Sequence, residues 1–287
     1  MADVIPTHYS TQFSSNWISR IQQGKCRLDA FLEYDDFMGE RKRYDRMSSQ
    51  SAQQRTERKG PTRITDTTSD SRWAYRKSFD IANLLDADDA KNLAPLVLPT
   101  SQYVMDHAKA YNRNIDDQAW QSASGVVITG ELGTTETVFP VAQAIAEGGT
   151  GLTLAKLLSA REILEEADAD DDAPDVLCVT AQQLTNLLNT TQITSADYNT
   201  VKALVAGQVD TFMGFKFVKI QRLTKVGNTR TCVGWRKGAI KIMRGAKESK
   251  ISIRGDLSDS TQIRSTWHLS GVRLHDELVF TIDCLES

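Results

Sequence analysis

Cysteine is scarce and scattered. Cys26, Cys178, Cys232 and Cys284 lie far apart with no CxxC pair, which argues against a disulfide framework and a zinc knuckle alike. Cys178, in VLCVT, and Cys284, in FTIDC, read instead as small buried apolar residues. Histidine is equally thin: His8, His107, His268 and His275 share no metal-ligand spacing, and none stands near a nucleophile in sequence. No catalytic set, metal or cofactor is therefore expected. Long apolar runs are missing, and MADVIPTHYSTQF has neither the basic start nor the apolar centre of a secretion signal. The expectation is a cytosolic protein without membrane contact. No GxxxxGK[ST] loop is present, and EGGTGLT, though glycine-rich before a helix, lacks the GxGxxG order, so its glycines read as a turn. Asn189-Thr190-Thr191 matches a glycosylation triplet that would be idle in a cytosol.

What is present is ordinary globular material. The 287 residues are 40% hydrophobic and 25% charged, enough for a sizeable core in two modest domains or one elongated one. The formal charge of −3 hides an asymmetry: Glu40 to Lys77 holds eleven Lys or Arg against five Asp or Glu, a local +6 that leaves −9 elsewhere. Between Met47 and Trp73 the only sizeable apolar side chain is Ile64. Such a stretch cannot bury enough surface to offset the entropy of its own ordering. Gly60 and Pro61 near its middle, with Thr62, Thr65, Thr67 and Thr68 around Ile64, suit a long two-stranded excursion. A solvated basic loop and a phosphate-binding segment are the other readings. The latter lacks the interleaved aromatics of a single-strand binder and any recognition-helix pattern.

From Pro99 to Ser124 the spacing predicts one long helix. Val104, Ala108, Tyr111, Ile115 and Ala119 recur at intervals of three and four, Thr100 or Ser101 can cap the start, and Gly125 marks the stop. Its other faces carry Asp106, His107, Lys109, Asn112, Arg113, Asp116 and Asp117, so it reads either as a surface spar with polar partners along its flanks or as an ordinary amphipathic helix on a core. Ahead of the basic segment, Phe13, Trp17 and Ile21 make a short apolar stripe, followed by Phe31, Leu32, Tyr34 and Phe37. Residues 1–40 read as an arm that must lie on this chain's body or on a neighbouring copy.

Beyond Gly125, VVIT and TVFPV suggest a strand pair among loops. A second helix, capped by Thr153, follows with Leu154, Leu157, Leu158, Arg161 and Leu164 on one stripe. Its end dissolves into Asp168, Asp170, Asp171, Asp172 and Asp175. Asp168, Asp170 and Asp172 have the alternation of a calcium loop, but Ala173 and Val179 stand where a glycine and a bidentate glutamate are needed, so the acidic run reads as a linker. From Val176 the order is strand, helix, helix, strand (DVLCVT, AQQLTNLLN, SADYNTVKALVAG, GFKFVKI), a compact α/β subdomain continued by TCVGW. TQIRSTWHLSGVRLHDELVFTIDC reads as two strands joined near Gly271 to Glu277 and returning under the long helix.

This order of parts, with SAQQRTERKGPTRITDT at 51–67 and TSADYNTVKALVAGQVDTFMGFKFV at 194–218, resembles the major capsid proteins of tailed bacteriophages. The resemblance runs from about Glu40 onward. It implies an α+β Hong Kong 97-type fold: N-terminal arm 1–40, extended loop 41–75, peripheral domain 76–172 and 241–287 with the long spine helix, and axial domain 173–240. It also implies a shell of pentamers and hexamers enclosing double-stranded DNA held without sequence specificity, assembled in the host cytoplasm and residing in the virion. The implied partners are further copies of the chain, a portal protein, a separate scaffolding protein, since no long acidic helical segment precedes the arm, and a decoration protein. Arg41, Arg43, Arg55, Arg58, Lys59, Arg63 and Arg72 in the loop, and Phe13, Trp17 and Ile21 in the arm, are the implied intersubunit contacts. Some relatives join neighbours by a covalent lysine to asparagine bond; Lys59 lies in the loop, but no acceptor is identifiable and that chemistry is not carried over. The alternatives are a nucleic-acid-binding protein that uses residues 41–77 as a basic arm, and an encapsulin-like nanocompartment shell.

Overall fold

A computed structural model describes residues 21–52, 54, 58, 64, 66–85, 102–169, 175–188, 211–257 and 259–286. In chain order, a turn of 3-10 helix at Asp29–Phe31 leads into strands β1 (Glu33–Asp36), β2 (Arg41–Met47), β3 (Ser69–Tyr75) and β4 (Lys77–Leu85). The long helix α1 (Gln102–Ser124) comes next, then β5 (Val127–Thr129), β6 (Thr135–Thr137), β7 (Ala144–Ile145), helix α2 (Leu154–Glu166), β8 (Asp175–Val179) and helix α3 (Ala181–Leu188). The remainder is strand: β9 (Thr211–Phe212), β10 (Phe215–Lys219), β11 (Lys225–Val226), β12 (Thr229–Trp235), β13 (Ile240–Arg254), β14 (Ser260–Arg273) and β15 (Val279–Leu285).

Three sheets result. The first runs β1-β13-β14-β4, the second β7-β15-β12-β8-β10-β9 with β11 beside β12, and the third β2-β3-β5-β6. Helix α1, 23 residues and about 34 Å long, packs on β13 and β14 and reaches β12 and β15, so it joins the first sheet to the second. Every residue of β8 is buried, as a continuous apolar run requires of a strand covered on both faces. Thr153 caps α2 by accepting the Lys156 amide, and Leu157 and Leu164 face inward, whereas Leu158, expected on the same stripe, is half exposed. The expected second helix of the α/β unit, SADYNTVKALVAG, lies outside the described residues, as do Pro99 to Ser101 and Asp170 to Asp172.

Two expectations are corrected by the packing. The buried stripe of α1 is concentrated in its second half, at Ile115, Ala119, Trp120 and Ala123, and buried with it are Gln118 and the His107 and Asp116 that the periodicity left on polar flanks. Val279–Leu285 does not pair with β14; it enters the second sheet between β7 and β12, with Thr229 opposite Leu285 and Trp235 opposite Val279. The reason is burial: five of its seven residues are buried, and only the middle of a covered sheet accommodates both faces. Val279–Leu285 is thus flanked by β12 along its whole length and by the short β7 on its other edge. β14, by contrast, does lie under α1.

The expected arm enters the body early. Leu28, Phe31 and Leu32 are buried in the main core, Phe37 is buried in a second cluster, and β1 pairs in parallel with β13. Residues 28–37 are thus held by their own subunit. Among the described residues no helix is long and apolar enough to cross a membrane.

Candidate functional site

The expected contact surfaces rest on two roots, one under the basic loop and one under the arm. At the loop root β2 and β3 pair antiparallel, Arg41 opposite Tyr75 through Met47 opposite Ser69, and the Ser48 amide continues the ladder to the Thr68 carbonyl at 2.9 Å. Alternation then sorts the side chains. Lys42, Tyr44 and Arg46 turn toward the body, and Arg41, Arg43, Asp45 and Met47 are exposed.

The inward side is a net of charge-assisted bonds. Asp35 accepts from Lys42 at 2.6 Å and Tyr44 at 2.7 Å, and those two donors hold its carboxyl below the usual carboxylate range. Arg46 donates to Asp70 at 2.6 Å and to the Leu274 carbonyl. Arg72 donates to Asp276 at 2.7 Å, and Arg273 donates to the same carboxylate at 2.5 Å. Arg273 also donates to the carbonyls of Ala123 and Gly125, at 2.7 and 2.8 Å, capping the end of α1. Burial pushes the Asp276 carboxyl up, but Arg273 and Arg72 outweigh it and hold the group below its ordinary value. The loop root is thereby bolted to the end of the long helix.

The outward side presents Trp73 with the guanidinium groups of Arg41 and Arg43 at 5.0 and 5.8 Å from its ring. Trp73 donates to the Gly130 carbonyl at 2.6 Å and Tyr75 to the Gly133 carbonyl at 2.8 Å, which fixes the β5–β6 turn against β3. Gly133 has φ +67°, and a Cβ there would stand 2.9 Å from the indole ring, so this position requires glycine.

At the arm root residues 22–28 run along α1. Gln22 meets Asp106 and Arg113, the Gly24 carbonyl accepts from Asn112 at 2.7 Å, and Arg222 bridges Gln23 to Asp117. Asp116, fully buried, accepts from the amides of Arg27 and Leu28, each at 3.1 Å, from the Cys26 thiol and from Gln23. Burial, reinforced by Asp116, pushes the Cys26 thiol up to about 12. Asp116, like His107, is a residue that periodicity left on a polar flank. Its one signal in the sequence is its place next to Ile115 and one turn before Ala119 and Trp120, at the edge of the apolar stripe.

Of the expected contact residues, Arg41 and Arg43 are exposed at the loop root, and Arg58 is exposed in the loop. Ile21 is fully exposed. Arg72 is 4% exposed and paired within its own subunit, on the inward face of β3 beside Asp70 and Asp276. Arg55, Lys59, Arg63, Phe13 and Trp17 lie outside the described residues. His107, buried against Ser265 at 2.9 Å and donating to Asn83 at 2.7 Å, is held below its ordinary pKa by burial and ties α1 to the first sheet. Among the described residues no group of three or more His, Cys, Asp or Glu could hold a metal ion.

A sequence model of the phage capsid protein family matches residues 5–286. No curated protein matches by sequence. Solved structures match over almost the whole chain. The capsid of cyanophage P-SCSP1u superposes with a TM-score of 0.71 at 12% identity, covering 98% of this chain and 94% of that one. The capsid of Ralstonia phage GP4 gives 0.72 at 9% identity, covering 100% and 98%. A structure of Mycobacterium phage Che8 gives 0.63 at 16%, covering 98% of each. At these identities the likeness carries the fold, which is the Hong Kong 97-type capsid fold.

Proposed function

The chain belongs to the phage capsid protein family and is a shell-forming capsid protein, and from that premise we propose how its shell is built. Copies assemble as pentamers and hexamers into an icosahedral head around double-stranded DNA, with residues 41–75 reaching across to a neighbouring copy. The observation that carries this reading is a contrast along the loop. Its root is bolted down by Arg46, Arg72 and Arg273. Yet every described residue from Ser48 to Thr68 except Thr67 is exposed. A rigid root under an extension with no core of its own serves a partner outside the subunit. Many symmetric copies give each loop a receiver.

The proposed division is an arm of 1–40, a loop of 41–75, a peripheral domain of 76–172 and 241–287, and an axial domain of 173–240. The role is structural rather than enzymatic. Scaffolding, portal and decoration proteins are proposed partners, DNA is bound by charge without sequence readout, and assembly takes place in the host cytoplasm. The test is neutralisation of Arg55, Arg58 and Arg63 together to Gln, read by sedimentation and negative stain. The expected outcome is a folded subunit that forms no shells. Normal shells from the triple variant would overturn the role of the loop. A wild-type chain that stays monomeric and shifts only when nucleic acid is added would favour the basic-arm alternative.

A further inference from the structure

Helix α1 is held unevenly along its length. Its back half, residues 115–124, buries Ile115, Asp116, Gln118, Ala119, Trp120 and Ala123, whereas in residues 102–114 the one buried side chain is His107. Tyr111, one turn further on, adds an edge-to-face contact with Trp267 at 5.6 Å between ring centroids. The front half of the helix therefore depends on His107 for its hold on the first sheet. Both ring nitrogens are used. Nε2 donates to Asn83 Oδ1 of β4 at 2.7 Å, which leaves Nδ1 to accept from the Ser265 hydroxyl of β14 at 2.9 Å; Ser265 in turn meets the Ser249 hydroxyl of β13 at 2.9 Å. One side chain thus joins α1 to three strands.

The surroundings suit a neutral ring. Two lysines share the sheet face that carries Ser265: Lys247 of β13, whose ammonium lies 4.2 Å from the centre of the Tyr111 ring, and Lys77 of β4, bonded to Gln118 three turns along the helix. Strand alternation puts Asp80, Arg264, Glu248 and Lys250 on the opposite face, where Asp80 pairs with Arg264 at 3.6 Å and Glu248 with Lys250 at 2.9 Å. Arg244 of β13 and Cys26 of the arm root act on Tyr111. On α1 itself the neighbouring carboxylate is Asp106, which is engaged by Gln22 and Lys109. Burial holds the imidazole below its ordinary pKa, and Asp106 opposes this only in part.

We propose that His107 is an acid-released latch: neutral, it clamps the front half of α1 to the first sheet, and protonated, it lets residues 102–110 lift while the back half stays packed. A proton on Nδ1 makes that nitrogen a donor, so the Ser265 hydroxyl turns from donor to acceptor and hands its own hydrogen on to Ser249. The hydrogen bonds survive, and the cost is the buried charge. In the lifted state His107 meets water and titrates near its ordinary value of about 6.5. The sign follows. Lifting is independent of pH above about 6.5 and becomes more favourable by up to about tenfold for each unit below it, until the folded value is reached. The latch is a property of the subunit alone and stands apart from the shell reading.

Hydrogen exchange in the full-length unassembled subunit tests it, between about pH 7.5 and 5 and with rates corrected for the intrinsic effect of pH. Amides 106–110, the first in α1 with partners inside the helix, are expected to lose about tenfold in protection over that range, while amides 115–123 keep theirs. His107→Gln has an uncharged amide able to make both bonds, and its protection is expected to stay level with pH. Asn83→Asp sets a carboxylate against Nε2 and raises the pKa of the ring, so its front half is expected to hold or gain protection on acidification. Asn83 is exposed, so the fold is not at stake in that variant, and it decides alone should His107→Gln fail to fold. Unchanged protection in the wild type, an equal loss in His107→Gln, or an Asn83→Asp chain that opens as the wild type does would each overturn the latch.

Discussion

Arg273 is fully buried, and what makes that tolerable is one carboxylate, Asp276, together with the carbonyls of Ala123 and Gly125. Asp276 also serves the buried Arg72, so a single change strands Arg273 and leaves Arg72 only its longer contact to Asp70, at 3.6 Å. Asp276→Asn is expected to cost about 3 kcal/mol, because breaking a buried pair leaves an uncompensated charge, and urea unfolding of the isolated subunit would measure it. The pH dependence has a definite sign. The folded carboxyl lies below its unfolded value near 4, so its contribution is complete above that pH and is lost as pH falls through the folded value. The Asn variant should lack that acid-side loss, and unfolding curves between about pH 6 and 2 would compare the two. Lys156 is a second buried cation, and its ammonium is held by four carbonyls: Glu147 at 2.7 Å, Asp283 at 2.8 Å, Thr150 at 2.9 Å and Gly151 at 3.1 Å. It staples the turn of positive-φ Gly148 and Gly149 to β15. Lys156→Met keeps the stem but leaves these acceptors unmet, and a loss of about 3 kcal/mol is expected by the same measurement.

Among the elements, α1 takes its position from polar groups as much as from its apolar stripe. Ile115, Ala119 and Ala123 bury against the sheets, while Asp116 holds the chain at 26–28. Asp116→Ala removes the acceptor for two buried or half-buried amides and is expected to loosen residues 22–28 without unfolding the body. Hydrogen exchange at Arg27 and Leu28 would rise by at least tenfold, and the core amides of β8 and β12 would keep their protection. The loop root has a corresponding weak point at Gly133. Gly133→Ala forces a side chain into both a left-handed backbone and the Trp73 ring, with an expected cost of about 1–3 kcal/mol. Loss of Trp73 fluorescence change on assembly, rather than loss of fold, is the expected readout.

At the scale of the whole molecule, stability and assembly answer to different charges. The pairs made by Arg72 and Arg273 are buried, whereas the described loop residues from Ser48 to Thr68 are, except for Thr67, exposed. Raising salt from 0.1 to 1 M shortens the screening length from about 10 to about 3 Å, which acts on exposed charges and hardly on buried ones. The expected result is slower shell assembly, followed by light scattering, with little change in the urea midpoint of the isolated subunit. Equal effects on both would show that the basic segment acts within its own subunit.

The sequence by itself determined what local chemistry decides. The period of Ile115, Ala119 and their neighbours made α1 a helix, Thr153 began α2, and the apolar run Val176 to Val179 made β8 a covered strand. The dearth of apolar residues between Met47 and Trp73 showed that this loop has no core of its own. Only the tertiary structure decided who meets whom. Arg72 and Asp276 are 204 residues apart, and Leu28 and Asp116 are 88 apart. β15 found its place between β7 and β12 rather than beside β14. Periodicity states which face of an element is buried. It does not state which distant group arrives there, so the polar side chains that become buried, Arg72, Asp116 and Arg273 above all, are legible only once the partners that neutralise them have been brought together by the fold.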